Sequence, residues 1–306
     1  MKKTLLLIVF LYSTTQTFSQ CACCAAAGAS ASSIDSNNGI FTLPTNQWVI
    51  EGYGDYRTIQ NGNAIQADEK LLKNMFISSL GVRYGITNKI TISATIPYVF
   101  LHTNYGNDRG LGDLALLGTF DLYSKNSFSF AVQAGVKLPT GIQKDSNFDN
   151  TTVVVGSGSY DPMIGILFSK HWDKMTLTGN GFYKYATSGF QGNYYGSLST
   201  QSLMLSYKIK EGGRFCAMDE KAEKAMSNFG WNVFGGYYGE SHDKVKEDNV
   251  VDPNSGYYLG FANLGTSISY KKWSMPLTVS LPIINDLNGS QNNAGFRLRI
   301  GIVRSL

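Results

Sequence analysis

Ser127-Phe-Ser-Phe-Ala-Val-Gln-Ala-Gly-Val-Lys-Leu-Pro139 presents two unlike faces. Phe128, Phe130, Val132, Ala134, Val136 and Leu138 share one side, and Ser127, Ser129, Ala131, Gln133, Gly135 and Lys137 share the other. A period of two belongs to a strand, because successive side chains of a pleated backbone leave opposite faces. The stretch is about twice the usual globular strand of roughly five to six residues. It suits instead a tilted strand crossing about 25 to 30 Å of hydrocarbon, with one face in lipid and the other in a polar lumen.

The pattern recurs. Strands are expected at Gln47 to Arg57, Met75 to Ile86, Ile90 to Leu101, Leu111 to Tyr123, Ser127 to Thr140 and Ser157 to Ser169. Further ones are expected at Trp172 to Ala186, Tyr194 to Ile209, Phe229 to Glu240, Tyr257 to Tyr270, Trp273 to Ile283 and Ala294 to Leu306. The expected fold class is therefore all-β, a transmembrane antiparallel up-and-down β-barrel of about 12 strands, an even number as such barrels prefer. Connections alternate in length as a barrel requires. Thr87-Asn-Lys89, Ser124-Lys-Asn126, Lys170-His171 and Lys271-Lys272 are short, whereas Thr58 to Asn74, His102 to Gly110, Gly141 to Gly156 and Ser241 to Gly256 are long. Short turns face the periplasm and long loops the outside. Lys210 to Asn228 breaks the rule, and the composition of Met218 to Met226 predicts a short periplasmic helix there.

Ahead of the strands, Met1-Lys-Lys3 and the apolar run Leu5 to Tyr12, with Phe18-Ser-Gln20 as cleavage site, read as a secretory signal peptide. The expected organisation is a signal peptide over 1–20, a periplasmic N-terminal segment over 21–45 that can act as a plug, and an outer-membrane barrel over 46–306. Lys2 and Lys3 leave with the signal peptide and lower the formal net charge from +4 by two, too little to indicate nucleic acid as a partner. Outer-membrane lipid and a small solute are the expected partners. The 33 Gly, 18 Tyr and 17 Phe, with only 16% charged residues, supply the bends and interfacial girdles that barrels use.

By parity the lumen receives Glu51, Asp55, Arg57, Arg83, Asp113, Asp121, Lys137, Asp161, Lys184, Arg297 and Arg299. Charges of both signs in a narrow barrel are expected to pair, since an unpaired charge away from water is costly. First and last strands meet on closure, so Glu51 and Asp55 are expected to reach Arg297 and Arg299. The charges serve either as a structural ladder or as a selectivity filter along the transport path.

Cys21, Cys23 and Cys24 open the mature chain, and Cys216 falls in the long periplasmic connection. In an oxidising compartment a disulfide between Cys216 and one of the first three is the first expectation. Capture of a soft metal by these thiolates, copper above all, is the alternative. Three histidines with no accompanying nucleophile do not make a catalytic set, so no enzyme and no cofactor are expected.

Gly110-Leu-Gly-Asp113, Lys137-Leu-Pro-Thr-Gly141 and Gly156-Ser-Gly-Ser-Tyr-Asp161 stand at the ends of successive strands. In order and spacing they resemble the outer-membrane transporter family named for the meta-cleavage pathway of phenol degradation. The resemblance implies a barrel and the passage of small hydrophobic or aromatic compounds. Physically, such glycines permit close backbone approach at a strand mouth, and the motifs either shape the rim or line the path. The last strand resembles a barrel insertion signal in Arg299, Gly301 and Leu306, with Arg304 where a hydrophobic residue is usual. The function expected is passive outer-membrane transport of small, apolar or aromatic molecules. The alternative is a periplasm-facing thiolate metal-handling or partner-binding protein anchored by the barrel.

Overall fold

The computed structural model describes residues 41–60, 72–103, 106–141, 155–212, 228–247 and 249–306. The strands are β1 (Trp48–Gln60), β2 (Leu72–Thr87), β3 (Ile90–Thr103), β4 (Asn107–Leu111), β5 (Leu114–Lys125), β6 (Phe128–Leu138), β7 (Asp161–Trp172) and β8 (Met175–Lys184). They continue as β9 (Leu198–Lys210), β10 (Phe229–His242), β11 (Lys246–Glu247), β12 (Val250–Val251), β13 (Tyr257–Tyr270), β14 (Trp273–Leu287) and β15 (Asn293–Ser305). Thirteen of them form one sheet in which β1 pairs with both β2 and β15, so the sheet closes on itself. Because β4 and β5 are successive segments on one flank of β3, the closed wall has twelve places. Closure removes every free edge that lipid could not satisfy. β11 and β12 form a small ribbon of their own in the connection from β10 to β13.

The alternation of the sequence becomes the two surfaces of the wall. Ile50, Leu80, Ile92, Ile164, Leu205, Leu277, Leu298, Ile300 and Ile302 all lie exposed on the outside. In water such a belt would be an aggregation surface; in a bilayer it is the lipid-facing band. Rings flank it at the turn end, where Trp48 packs against Tyr84 at 4.5 Å. Arg304 lies there too, its guanidinium 4.9 Å from the centre of the Trp273 ring. Belt and closed wall together make this an outer-membrane barrel.

Boundaries differ from the sequence reading at several places, four of which matter for the loops and the lumen. His102 to Gly110 is not all loop, because Asn107–Leu111 continues the ladder on β3 as β4. The turn expected at Lys170-His171 falls instead at Asp173-Lys174. His171 and Trp172 still pair with Thr176 and Met175, and Asp173 takes the positive φ of 48° that ends the strand. Ser157 to Tyr160 is not strand either, since Gly158 turns the chain at φ 70° and β7 begins only at Asp161. Tyr194 and Tyr195 lie before β9, and Tyr194 pairs with Lys246 of the neighbouring loop. The hairpin of β5 and β6 turns on Asn126 and Ser127, both at positive φ (53° and 60°), the conformation that matches the twist of the flanking strands.

Candidate functional site

Inside the barrel the three glycine motifs converge on one buried cluster. Asp113 sits at the break between β4 and β5, Lys137 near the end of β6, Asp161 at the start of β7 and Lys184 at the end of β8. Lys137 Nζ lies 2.9 Å from Asp113 Oδ2 and 2.8 Å from Asp161 Oδ2, and Lys184 Nζ lies 3.6 Å from Asp161 Oδ2. Both lysines are 0% exposed. Ser157 Oγ donates to Asp113 Oδ2 at 2.7 Å, and Lys137 Nζ donates to Ser157 and, at 3.3 Å, to Ser159. Two cations and two carboxylates cancel, which is how four charges persist away from water.

The motifs owe their glycines to this packing. A Cβ built on Gly141 would stand 2.6 Å from Gly156 Cα and 2.7 Å from Asp113 Oδ1, and one on Gly156 would meet Gly141 Cα at 2.6 Å. Asp113 accepts the Gly141 and Ser157 backbone N–H groups, each at 2.9 Å. Among the described residues β4 pairs with β3 alone, so this carboxylate stitches the segment around Gly156 to the wall where the ladder stops. Asp161 in turn accepts the Thr187 N–H at 2.9 Å, and the Phe190 N–H reaches Ser157 O at 3.0 Å. The chain on either side of β7 and β8 is thus folded in over the cluster.

The hydrogen-bonded partners of the remaining charges differ from the sequence expectation, although Asp55 stays within electrostatic reach of Arg299 and Arg297 as expected. Glu51 takes a bidentate bond from Arg83 on β2 (3.0 and 3.1 Å). Asp55 takes one from Arg57 two residues along its own strand (3.0 and 3.1 Å). Arg297 reaches Glu240 on β10 at 2.7 and 2.9 Å rather than a residue of β1. Register does set Asp55 opposite Arg299 and Arg57 opposite Arg297. Arg297 therefore faces a like charge on β1 and turns to Glu240, while the Arg299 guanidinium lies 4.4 Å over the Tyr53 ring. Arg297 also stacks on Phe261 at 3.9 Å, and Tyr238 donates to Glu240 at 3.0 Å. Asp121 stands apart from both groups near the turn end, where Ser124 Oγ donates to it at 2.6 Å.

Glu240, Tyr238, Phe261, Ser157 and Ser159 belong to these clusters and escaped the sequence reading. Glu240 was legible, because it shares the parity of Phe234 and Tyr238 in a strand that runs on to His242. Ser157 and Ser159 carry no periodic signal, since they act from an irregular segment. Apolar patches also line the lumen. Met75, Ile77, Val99 and Leu101 of β2 and β3 cluster with Val155, and Ala115, Leu117, Met163 and Phe182 form a second group.

At the turn end the segment before β1 enters the barrel. Phe41 packs against Ala131 and Leu167, and Leu43 packs against Val49 and Val303 with its N–H on Thr91 Oγ1 at 2.8 Å. Cys21, Cys23, Cys24, Cys216 and the helix expected over Met218 to Met226 lie outside the described residues. His102 Nδ1 contacts Asn107 Oδ1 at 2.5 Å, and His242 stacks on Tyr257 with its Nδ1 on Asp243 O at 2.9 Å.

No family model matches the chain, and no curated protein matches its sequence. Among solved structures it is similar to an outer-membrane channel from Pseudomonas putida F1, with a TM-score of 0.68, 13% identity and coverage of 88% of this chain and 98% of that one. It is also similar to the translocator domain of the autotransporter NalP from Neisseria meningitidis, with a TM-score of 0.50, 13% identity and coverage of 95% and 99%. At such identities the likeness is one of fold, a closed barrel of the same architecture.

Proposed function

We propose that the protein is a passive outer-membrane channel for small apolar solutes, aromatic ones included. The carrying observation is the cluster of Met75, Ile77, Val99, Leu101 and Val155 inside the loop end of the barrel. An apolar solute can rest there without displacing a tightly held polar group, and the bidentate pairing of the neighbouring charges lowers their demand for water. Entry from the loop end, weak intermediate sites and exit at the turn end need no energy source. In this reading Phe41 and Leu43 narrow the exit, and the N-terminal segment acts as a plug. The charge pairs hold the wall in shape around the route.

Liposome uptake of a monoaromatic compound and of a sugar of similar size, with single-channel conductance in planar bilayers under oxidising and reducing conditions, tests the reading. Aromatic flux should exceed sugar flux, Val99→Asp should lower it about tenfold, as burying a carboxylate in an apolar contact implies, and Phe41→Ala with Leu43→Ala should raise both fluxes. Absence of flux from the native chain and from the plug variant alike would sink passive passage. Equal flux of sugar and aromatic compound would sink the apolar preference.

A further inference from the structure

The outward face of β2, β3 and β4 at the loop end is laid out in rows. Register sets Asn74, His102 and Asn107 side by side in one row, and Phe76, Phe100 and Arg109 side by side in the next row toward the membrane. Phe76 and Phe100 lie 5.9 Å apart between ring centres, and Tyr98 continues the aromatic surface 4.8 Å from Phe100. A groove of about 530 Å³ lies over this face, lined by Asn74, Phe76, Phe100, His102, Asn107 and Arg109. Leu101 and Asp108 also line it, and Asp108 is the one carboxylate among its lining residues.

Arg109 is the anomaly. It occupies a lipid-facing row whose other members are phenylalanines, it is exposed, and it has no ion pair or hydrogen bond among the described residues. Arg304, outward at the turn end, has the Trp273 ring to lie on. A guanidinium facing lipid is costly in proportion to its depth, and an anionic headgroup within reach removes that cost. Its planar fork suits two oxygens of one phosphate. Above it, the amides of Asn74 and Asn107 and the Nε2 of His102 suit the hydroxyls of a sugar.

We propose that this groove binds a phosphorylated, acylated glycolipid of the outer leaflet. Its phosphate sits on Arg109, its sugar against Asn74, His102 and Asn107, and an acyl chain runs along Phe76, Phe100 and Tyr98. The site faces lipid rather than lumen and is independent of what the channel carries.

Native mass spectrometry of the full chain in detergent, titrated with bisphosphorylated lipid A and separately with phosphatidylglycerol, tests it. One lipid A should be retained per barrel, with phosphatidylglycerol weaker. Arg109→Gln should weaken lipid A about tenfold or more, the size of a lost charge-assisted bond, Arg109→Lys should fall between, and Arg304→Gln should match the native chain. Heat-modifiable gel migration, unchanged in every variant, reports that the barrel is intact. Lipid A retained equally by native chain and Arg109→Gln would overturn the site. Equal retention of the two lipids would overturn it as well, leaving only a general lipid annulus.

Discussion

Lys137 stands between two carboxylates at 2.8 and 2.9 Å with no exposed surface, so it holds Asp113 and Asp161 in one place. Lys137→Met would leave two like charges facing each other without the cation, and removing one partner from a buried pair costs about 3–5 kcal/mol. Urea titration of the protein folded into lipid vesicles should show a loss of that order. The cycle with Asp113→Asn sharpens the test: if the residues act through each other, the double variant loses less than the sum of the single ones. Strict additivity would mean that the short distances carry no coupling. The identities of Asp113, Lys137 and Asp161 as inward charges could be read from parity, but their union could not. Strands β5, β6 and β7 bring them together only because their ladders end at one level.

At the scale of the element, the segments after β6 and before β7 pass within van der Waals contact at Gly141 and Gly156. Gly141→Ala or Gly156→Ala would drive a methyl into the facing backbone, and such overpacking costs about 1–3 kcal/mol. A methyl added at Gly52 on β1 would meet nothing within 4 Å, so Gly52→Ala should leave the unfolding midpoint near the native one. A Gly141→Ala midpoint equal to that of Gly52→Ala would show that the two segments do not pack as described. The sequence motifs announced glycine-dependent closeness without saying what approached what. The partner of each glycine lies fifteen residues away, across a connection whose length carries no geometric signal.

For the whole molecule, the outer belt predicts a response that depends on the surrounding medium. Ile300, near the middle of β15, is 53% exposed on the lipid side. Ile300→Arg should reduce stability in a bilayer by about 2–4 kcal/mol, the cost of a midplane cation. Refolding into vesicles, read by heat-modifiable migration and urea titration, measures that loss; an unchanged midpoint would place β15 away from the hydrocarbon. By itself the sequence determined the fold class, the twelve places in the wall and the face taken by strand residues away from the bulges, because those follow from a period of two that the strands obey locally. Tertiary structure alone decided which charges pair. Glu51 meets Arg83, Asp55 meets Arg57 and Arg297 crosses to Glu240, choices that depend on reach and register around the closed wall. It also decided that Asp113 would replace a missing ladder and that Arg109 would lie exposed on the outer face with no ion pair among the described residues. Parity assigns a side to each residue, whereas the neighbour it finds there is set by strands far apart in sequence.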